Sequence, residues 1–434
     1  MAVKTTVVMG LGRSGRAAAE LLVRQGHRVV GVDLNPDVPP IPGVELELGP
    51  HRRSTFVSAE RVVVSPGIPA RQADLVAARE AGVEVVGELG FAARSLTAPM
   101  VAITGTNGKS TVTWFIGQIL RAAGLRTFVG GNLGNPLSNA VGHPWDALVV
   151  EVSSYQLELP GGLRPKVGVV LNLTPDHLAR HGDMEGYARA KTTLFAQMHE
   201  TDLAVLPAGD SRLASAAPVA GARAWLGATP GVMRTGDRIR VVLPTLGVDC
   251  ELDLSGLTVP GVHNRDNAAT AAMAALAMGV DPQTIQEAIP TLQALEHRME
   301  IVHEREGVLW INDSKATNID ASRVGISGLS RSAVVLLGGQ AKGPGFAALA
   351  PALRGSRAVV CFGGSGAAIA EELRAEGLEV TRVASMADAV RAARDLAHSG
   401  DAVLLSPGCA SFDEFDDFEH RGRVFRELAT EEMA

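Results

Sequence analysis

Residues 101–113 read VAITGTNGKSTVT, and this stretch decides the fold of the domain around it. A short apolar run typical of a buried strand ends in a glycine-rich turn, and the residues after the turn have the pattern of a helix. The glycines allow backbone N–H groups to face an anion, and the start of the helix adds partial positive charge. Strand, turn and helix in this order predict an α/β domain with a phosphate-binding loop.

The polar residues of this turn suit a nucleoside triphosphate. Lys109 can reach the terminal phosphates, and the hydroxyl of Ser110 can bind magnesium. A standard loop of this kind has four residues between its glycines, whereas this one has only two. A glycine-rich turn without a ligand is the alternative, but the lysine and the serine favour ATP. The predicted loop consists of Gly105, Thr106, Asn107, Gly108, Lys109 and Ser110.

The composition limits the function. The 434 residues suffice for two to four domains, and 46% apolar and 20% charged residues are ordinary for a soluble globular protein. The net charge of -7 offers no basic surface to a nucleic acid, so we expect small-molecule substrates and no nucleic-acid partner. Cys250, Cys361 and Cys409 lie far apart, which argues against a disulfide framework or a zinc site and fits a reducing compartment.

Apolar runs are short throughout the sequence. None reaches the length of a membrane span, and the run near the N-terminus is too short for a signal peptide. We therefore expect a cytoplasmic protein without membrane insertion, and we expect it to be a monomer.

Residues 1–93 alternate strand and helix patterns, which predicts a small α/β domain. Its first turn has the pattern G-x-G-x-x-G, and Asp33 ends the next strand about twenty residues later. This pattern indicates a dinucleotide and a nicotinamide-dependent dehydrogenase, but a UDP-linked substrate offers the same pyrophosphate. A turn that serves only helix packing is a third alternative. The glycine turn consists of Gly10, Leu11, Gly12, Arg13, Ser14 and Gly15.

A second loop of this domain follows a buried-looking strand and consists of Ser65, Pro66, Gly67 and Ile68. It should lie at the carboxyl edge of the sheet, where ligands collect. The loop either closes on the ligand of the glycine turn or forms an ordinary turn.

Two polar residues follow apolar strands in the central segment, residues 94–293. Glu151 ends the run 147–150, which is the place of a magnesium-binding carboxylate beside a phosphate-binding loop. His177 follows the run 167–171, although a single loop histidine is more often only packed or solvated. Because the carboxyl ends of parallel strands meet at one edge, we expect both residues beside the phosphate-binding loop.

Other parts of the central segment give weaker signals. The pattern of residues 183–199 predicts a helix on which Lys191 is a surface lysine. Residues 210–260 have short strand patterns that predict an antiparallel excursion. Asn264 and Asn267 begin an alanine-rich helix, where they either cap the helix or face a base.

Residues 294–434 return to alternating strand and helix patterns, which predicts a third doubly wound α/β unit. The loops after the apolar runs at 334–337 and 402–405 carry Lys342 and the sequence SPGCASFD at 406–413.

With these motifs in their order, the chain resembles the Mur ligases, the ATP-dependent enzymes that form amide bonds in peptidoglycan precursors. The resemblance covers essentially the full length and is strongest to the D-glutamate-adding branch of the family. The motifs that carry it are GTNGKST at 105–111, EVSSYQLE at 151–158, LNLTPDHL at 171–178, the Lys191 helix, HNRDNAATA at 263–271, EHRME at 296–300, NDSKATN at 312–318 and SPGCASFDEFDDFEHRG at 406–422.

The resemblance implies three α/β domains. These are a Rossmann-like N-terminal domain over 1–93 that binds the UDP-linked substrate, a central P-loop ATPase-type domain over 94–293, and a C-terminal Rossmann-like domain over 294–434 that closes on ATP and binds D-glutamate. The implied activity is ATP-dependent addition of D-glutamate to UDP-N-acetylmuramoyl-L-alanine through an acyl phosphate. The implied cofactors are ATP, two magnesium ions, and a CO2-derived carbamate on Lys191 that turns a cation into a magnesium ligand.

The family also implies a role for each matching residue. The residues implied in catalysis are Lys109, Glu151, His177, Lys191, His297 and Lys315. ATP is expected at the phosphate-binding loop and at Thr111, Asn264, Asn267, Arg298 and Asp313. The UDP-linked substrate is expected at the glycine turn and at Asp33, Ser65, Pro66, Gly67, Asn132 and Ser153. D-glutamate is expected at Thr317, Lys342, Ser411, Phe412 and Phe418, and magnesium at Ser110, Glu151, His177 and Lys191.

A few positions depart from the family pattern. The histidine loop more usually reads DHLDRH, and Ala179 here replaces the second acid, which puts in doubt the support that this acid gives. Asp266 and Gly345 also differ from the expected pattern.

Three other functions stay open at this point. The first is a sibling enzyme, either another Mur ligase or folylpolyglutamate synthase. The N-terminal UDP-type domain argues against the folate enzyme, which typically starts at its P-loop. The second alternative is a nicotinamide-dependent oxidoreductase with a regulatory P-loop domain. The third is a nucleotide-binding switch without catalysis.

Overall fold

The computed structural model describes residues 5–431, and the first sheet begins with its first described residue. Its strands are β1 Thr5–Met9, β2 Arg28–Asp33, β3 Val44–Leu48, β4 Arg61–Val64 and β5 Glu84–Gly87. Its helices are α1 Arg13–Arg24, α2 Arg53–Val57, α3 Ala73–Glu80 and α4 Glu88–Ala93. The strands are parallel in the order β3-β2-β1-β4-β5. Val7 and Met9 pack on one face and Val8 on the other, as expected for a parallel strand that helices cover on both sides.

The second sheet carries the phosphate-binding loop. Its strands are β6 Met100–Thr104, β7 Thr127–Gly131, β8 Ala147–Glu151, β9 Val167–Val170, β10 Leu203–Pro207, β11 Ala222–Leu226, β12 Gly231–Thr235, β13 Arg238–Leu243 and β14 Val248–Asp253. The helices of this part of the chain are α5 Lys109–Ala122, α6 Leu178–His181, α7 Met184–Thr192, α8 Ser211–Ala216, α9 Val262–Ala277 and α10 Pro282–Ala288.

The order of this sheet, β14-β13-β12-β11-β10-β9-β6-β8-β7, explains how the site is assembled. β9, β6, β8 and β7 are parallel neighbours, so the loops that follow them share one edge. Antiparallel pairing is confined to residues 231–253, since β11 pairs in parallel with both β10 and β12. The predicted antiparallel excursion is therefore shorter than the sequence pattern indicated.

The third sheet repeats the α/β pattern. Its strands are β15 Glu300–Arg305, β16 Val308–Asn312, β17 Ala333–Gly338, β18 Ala358–Phe362, β19 Val380–Arg382 and β20 Ala402–Leu405, in the order β15-β16-β20-β17-β18-β19. Its helices are α11 Ile319–Ser327, α12 Ala350–Leu353, α13 Gly366–Ala375, α14 Met386–Leu396 and α15 Phe418–Thr430. Only β15 is antiparallel to its neighbour, so the loops after β16, β20 and β17 meet at one edge.

The α/β class is thereby confirmed by three separate sheets. The chain divides into two compact units, one with the residues up to 253 and 269–288, the other with 254–268 and the residues from 289 onward. The predicted domain boundaries at 93/94 and 293/294 stay predictions. Of the helices between residues 5 and 431, none has the length and apolar character that crossing a membrane requires.

Candidate active site

The phosphate-binding loop lies between β6 and α5, at the carboxyl edge of the second sheet. Gly108 has a left-handed φ of 84° at the start of α5, which glycine adopts without strain. Asn172, in the loop after β9, accepts hydrogen bonds on Oδ1 from the N–H groups of Thr106 and Asn107 at 3.0 and 2.9 Å. Its Nδ2 donates to the carbonyl oxygen of Asn107 at 3.0 Å. The neighbouring strand thus fixes the shape of the loop.

Two lysines converge on one carbonyl group of this loop. Nζ of Lys109 donates to the carbonyl oxygens of Gly105 and Thr106 at 2.9 and 2.7 Å. Nζ of Lys191, on α7, donates to the same Gly105 oxygen at 2.7 Å and lies 4.4 Å from the centre of the Tyr187 ring. Lys191 is 1% exposed, so the surface position predicted from helical spacing is wrong. Burial, and next the positive charge of Lys109, hold the pKa of Lys191 well below its usual value.

Glu151 ends β8 beside the loop. Its Oε2 accepts a hydrogen bond from the hydroxyl of Ser110, and its Oε1 accepts one from Nδ2 of Asn132 at 2.6 Å. The carboxylate is buried, with 2% of the residue exposed. Carboxylate and hydroxyl oxygens are the ligands that magnesium prefers, so the donor chemistry fits this ion. The expectation that Glu151 lies beside the phosphate-binding loop is confirmed.

His177 lies at the start of α6 with a left-handed φ of 55°. Its Nδ1 is 3.1 Å from the hydroxyl oxygen of Tyr155, and its Nε2 is 3.5 Å from a carboxylate oxygen of Asp176. Within residues 5–431, no group of three or more His, Cys, Asp or Glu side chains forms a metal site. The predicted magnesium set contains only two residues of these types, Glu151 and His177, so the set stays a prediction.

The glycine turn of the first sheet packs against the loop at 65–68. A Cβ atom on Gly10 would lie 2.9 Å from Cβ of Ser65, so the two loops touch, which favours a common site. A Cβ atom on Gly15 would lie 1.7 Å from the carbonyl oxygen of Gly10, and tight packing therefore requires this glycine. Gly12 is different, because nothing lies within 4 Å of the place of its missing Cβ. A glycine that no packing requires fits the close approach of a phosphate.

Asp33 ends β2, and two backbone N–H groups donate hydrogen bonds to its carboxylate. Oδ2 accepts a hydrogen bond from the N–H of Leu11 at 2.6 Å, and Oδ1 accepts one from the N–H of Asn35 at 2.9 Å. In dinucleotide-binding domains the matching carboxylate binds a ribose hydroxyl. Both oxygens here hold the glycine turn and the next loop, and the predicted contact of Asp33 with the UDP-linked substrate stays a prediction.

Other residues predicted for the UDP-linked substrate lie along the same loops. Arg13 and Ser14 open α1, and Nη1 of Arg13 donates to the carbonyl oxygen of Gly134 at 3.2 Å, in the loop that follows β7. The N–H and the hydroxyl of Ser153 donate to Oε1 of Gln156 at 2.8 and 3.1 Å. The bond from Arg13 ties the first sheet to the second, whereas the bonds of Ser153 are local to the loop after β8, and the binding roles stay predictions.

A second cluster lies at the carboxyl ends of β16 and β20. Asp313 accepts hydrogen bonds from the hydroxyl of Ser406 at 2.9 Å and from the N–H of Met299 at 3.3 Å. Its full burial raises its pKa to about 7, against these hydrogen bonds and the charge of Arg298, which lower it. Asp313, at the end of β16, is thus held in place by the residue that follows β20 and by the residue that precedes β15.

His297, Lys315 and Phe418 lie together in this cluster. Nζ of Lys315 is 3.6 Å from the centre of the Phe418 ring, and the His297 ring meets the same ring edge-on at 6.3 Å. Nδ1 of His297 is 2.9 Å from Nδ2 of Asn312, and burial lowers the pKa of the imidazole. Two residues predicted for catalysis therefore adjoin one predicted for D-glutamate.

The remaining residues predicted for D-glutamate lie on three loops of the same edge. Thr317 is half-buried after β16, Lys342 is exposed after β17, and Ser411 is buried after β20. Phe412 is 68% exposed next to Ser411. The strand order brings these loops together, and D-glutamate binding stays a prediction.

The two asparagines predicted for ATP bond to each other at the start of α9. Nδ2 of Asn267 donates to Oδ1 of Asn264 at 3.0 Å. Nδ2 of Asn264 donates to the carbonyl oxygen of Pro260 at 2.6 Å, so this side chain holds the chain that enters the helix. Their contact with a base stays a prediction.

Sequence reasoning missed three residues that organise the site, Asn172, Asn312 and Arg421. Asn172 and Asn312 lie at the carboxyl ends of β9 and β16, and that position is the signal that points to them. Arg421 is fully buried and donates to Ser314 Oγ and to the carbonyl oxygens of Ser314, Cys409 and Ala410 at 2.8 to 3.2 Å. It lies in the motif at 406–422 that carries the family resemblance, but its burial was not predicted, since arginine is almost never fully buried.

Three family profiles match the chain. Residues 4–87 match the MurD-like N-terminal domain of Mur ligases, 103–275 match the Mur ligase middle domain, and 297–409 match the Mur ligase glutamate ligase domain.

Two curated relatives are similar over nearly the whole chain. The UDP-N-acetylmuramoylalanine--D-glutamate ligase of Pelotomaculum thermopropionicum is 41% identical, over 98% of this chain and 97% of the relative. The protein of the same name from Anaeromyxobacter dehalogenans is 42% identical, over 98% and 97%. The crystal structure of the UDP-N-acetylmuramate-alanine ligase of Thermotoga maritima has a TM-score of 0.61 at 19% identity and covers 98% of both chains. This last likeness concerns the fold alone.

Proposed function

Because this chain belongs to the Mur ligase family, we propose that it is an ATP-dependent ligase that joins D-glutamate to UDP-N-acetylmuramoyl-L-alanine in peptidoglycan precursor synthesis. The observation that carries the proposal is the identity of 41% and 42%, over nearly the full length, to relatives that are named for this ligation. The phosphate-binding loop supports it, with Lys109 bonded to the carbonyl oxygen of Gly105 and Ser110 bonded to Glu151.

The first half of the reaction is phosphoryl transfer to a carboxylate. A carboxylate oxygen of the UDP-linked substrate forms a bond to the γ-phosphorus of ATP, and the bond from this phosphorus to the β,γ-bridging oxygen breaks, so ADP leaves. Lys109 is the proposed cation that offsets the charge on the phosphates, and the backbone N–H groups at the start of α5 are the proposed donors. The protein acts here by positioning and by charge neutralisation.

The second half is amide formation. The neutral amine of D-glutamate forms a bond to the carbonyl carbon of the acyl phosphate, and the bond from this carbon to the phosphate oxygen breaks. Phosphate leaves with the oxygen that it gained, and the proton that the nitrogen loses is released with it as hydrogen phosphate. Lys342, Thr317 and Ser411 are the proposed partners of the D-glutamate carboxylates. His297 and Lys315, which adjoin Phe418, are the proposed neighbours of the reacting centre.

The residues of the phosphate-binding edge fit magnesium. When bound, two magnesium ions would neutralise phosphate charge and polarise the acyl oxygen. We propose Ser110, Glu151, His177 and a carbamylated Lys191 as the residues that hold them.

The proposed carbamate on Lys191 rests on the state of its amine. CO2 adds to a neutral amine to give a carbamate and a proton, and the low pKa of Lys191 favours the neutral form. The resulting negatively charged group would lie close to the amine of Lys109, which bonds to the same carbonyl oxygen, and this supports the modification.

We further propose that the protein acts in the cytoplasm and as a monomer. ATP and both substrates are polar small molecules, which supports the cytoplasmic location. Sedimentation of the active enzyme tests the monomer directly.

The test of the function is an amino-acid scan. Phosphate release is measured with UDP-N-acetylmuramoyl-L-alanine, ATP and magnesium while D-glutamate, L-alanine, L-lysine or diaminopimelate is supplied. We expect release with D-glutamate only, and release that ignores the amino acid would overturn the proposal. Lys109→Ala should fall below about a tenth of the wild-type rate, whereas Lys166→Ala, an exposed lysine at the opposite end of a strand, should match the wild type.

A further inference from the structure

Arg180 and Glu158 form an ion pair that is mostly hidden from solvent. Nε and Nη2 of Arg180 donate to the two carboxylate oxygens of Glu158 at 2.7 and 2.9 Å. The two side chains are 13% and 19% exposed. A bidentate pair of this kind is geometrically specific, because the planar guanidinium matches the carboxylate.

The pair also holds the backbone of the loop after β4, at the carboxyl edge of the first sheet. Nη2 of Arg180 donates to the carbonyl oxygen of Ile68 at 3.1 Å, and Nη1 to that of Gly67 at 3.4 Å. Oε2 of Glu158 accepts a hydrogen bond from the N–H of Ala70 at 3.1 Å. Both Arg180 and Glu158 therefore bond to the backbone of the loop that is expected to bind the UDP-linked substrate.

On its other side, Arg180 reaches the loop of His177. The guanidinium lies 4.6 Å from the centre of the Tyr155 ring, a cation–π contact, and the Tyr155 hydroxyl is 3.1 Å from Nδ1 of His177. The N–H of Arg180 donates to the carbonyl oxygen of His177 at 2.9 Å. The neighbouring Ala179 is exposed, so the acid that the family pattern has there is not needed for these contacts.

Glu158 is ionised at neutral pH, so the ion pair with Arg180 is maintained there. Burial raises the pKa of Glu158, but the hydrogen bonds from Arg180 and the Ala70 N–H lower it further, so the pKa lies below its usual value. The carboxylate is therefore ionised at neutral pH, and the arginine, which does not deprotonate, has a constant partner.

We propose that Arg180 is a positioning residue that couples binding of the UDP-linked substrate at the loop 65–68 to the placement of His177 at the ATP and magnesium site. The inference rests on the proposed function. It assigns to one side chain a connection between a loop of the first sheet and a loop of the second, through the carbonyl oxygen of Ile68 on one side and the Tyr155 ring beside His177 on the other.

The proposed coupling depends on the number of groups that the Arg180 guanidinium contacts. Arg180 serves two carboxylate oxygens, two carbonyl groups and one aromatic face at once, and a lysine has neither the fork nor the plane to do so. A substrate that orders the loop 65–68 would then favour one position of the guanidinium, and through Tyr155 one position of His177. Such coupling must be reciprocal, since each ligand changes the affinity of the other by the same factor.

The test measures this factor by titration calorimetry. The Kd of UDP-N-acetylmuramoyl-L-alanine is determined with and without magnesium and a non-hydrolysable ATP analogue, for the wild type and for Arg180→Lys and Glu158→Gln. We expect the analogue to tighten binding at least about fivefold in the wild type, and to change it less than about twofold in both variants. Glu158→Gln keeps the shape of the pair, so it reports on coupling even if Arg180→Lys folds poorly.

A matched control uses another bidentate pair of the same sheet. Arg126 donates to Asp146 at 2.8 and 2.7 Å on the protein surface, and Arg126→Lys should keep the wild-type coupling. A merely structural Arg180 would lower the Tm or both affinities while the coupling factor stays unchanged, and that result overturns the inference. A wild type without coupling overturns it too. A wild type that forms no product with D-glutamate contradicts the proposed function instead.

Discussion

The side-chain amines of Lys191 and Lys109 donate to the same carbonyl oxygen, that of Gly105, at 2.7 and 2.9 Å. Two ammonium groups that share one acceptor repel each other, and Lys191 is also buried. Both effects favour the neutral amine of Lys191, with burial the larger. The phosphate-binding loop therefore holds one lysine that is ready to bind phosphate and one that is prepared for reaction with CO2.

The first prediction concerns this amine. In buffer freed of CO2 the ligation rate should fall, and bicarbonate should restore it, because the carbamate supplies a negative group that the lysine lacks. Since the folded-state pKa of Lys191 is lowered, the reactive neutral form is lost only as the pH falls through that lowered value, so carbamate should also decline at acid pH.

The measurement is the carbamate carbon signal by NMR in 13C-bicarbonate, alongside the rate. Lys191→Gln should lack the signal, whereas Lys166→Gln, at an exposed lysine of the same sheet, should keep it. A rate that is indifferent to bicarbonate in a protein without the signal would exclude the carbamate.

The second prediction separates binding from packing in the glycine turn. Gly15→Ala should lower stability by about 1–3 kcal/mol, because its Cβ would lie 1.7 Å from the carbonyl oxygen of Gly10. Gly12→Ala should fold with nearly the wild-type Tm but raise the KM for the UDP-linked substrate about tenfold, because the methyl group enters the space left for phosphate. Steady-state kinetics and thermal melts check both. An unchanged KM in Gly12→Ala would argue that the turn serves packing only.

The third prediction concerns Arg421. Arg421→Lys should raise the KM for D-glutamate about tenfold. A lysine has fewer donors than the guanidinium, so it no longer holds both loops that carry Lys315 and Ser411. The KM values for ATP and the UDP-linked substrate should change much less. Arg423→Lys, at an exposed position two residues on, is the matched control. A folded Arg421→Lys variant with the wild-type KM for D-glutamate would contradict the role.

The fourth prediction is a pH dependence of stability from Asp313. Its folded-state pKa is raised from 3.8 to about 7, so between these values the folded protein keeps a proton that the unfolded chain has released. Its contribution to stability therefore falls as the pH rises from about 4 to about 7 and stays low above that range. Asp313→Asn, which cannot ionise, should gain about 3 kcal/mol relative to the wild type between pH 5 and pH 8.

Thermal melts of both proteins at pH 5 and pH 8 check this expectation. Asp395→Asn, at an exposed position, should show the same difference from the wild type at both pH values. If the difference between Asp313→Asn and the wild type does not grow with pH, Asp313 is ionised in the folded protein.

The grouping of site residues at one sheet edge could be predicted from the sequence, because the carboxyl ends of parallel strands lie at the same edge. Glu151 follows an apolar run, and its contact with Ser110 confirms the position expected from that pattern alone. The α/β class follows from the same alternation of strands and helices. Local pattern and strand order thus account for the scaffold of the site.

The positions of Lys191, Asn172 and Arg421 depend on tertiary contacts that no local sequence pattern encodes. Helical spacing alone placed Lys191 on the surface, whereas the resemblance implied a role in magnesium binding. Its burial depends on how α7 packs against the phosphate-binding loop. Asn172 holds that loop from a different strand, at a separation of 65 residues from Asn107. Arg421 is buried because four oxygens of neighbouring loops surround it, an arrangement that exists only in the folded third sheet.

The most direct measurement follows one oxygen atom through the ligation. UDP-N-acetylmuramoyl-L-alanine labelled with 18O in its alanyl carboxylate is incubated with ATP, magnesium, D-glutamate and the protein, and the released phosphate is analysed by mass spectrometry. We predict that each phosphate carries one labelled oxygen, because the carboxylate oxygen bonds to phosphorus and leaves with it. Unlabelled phosphate, or phosphate released without D-glutamate entering the product, would contradict an acyl-phosphate ligase.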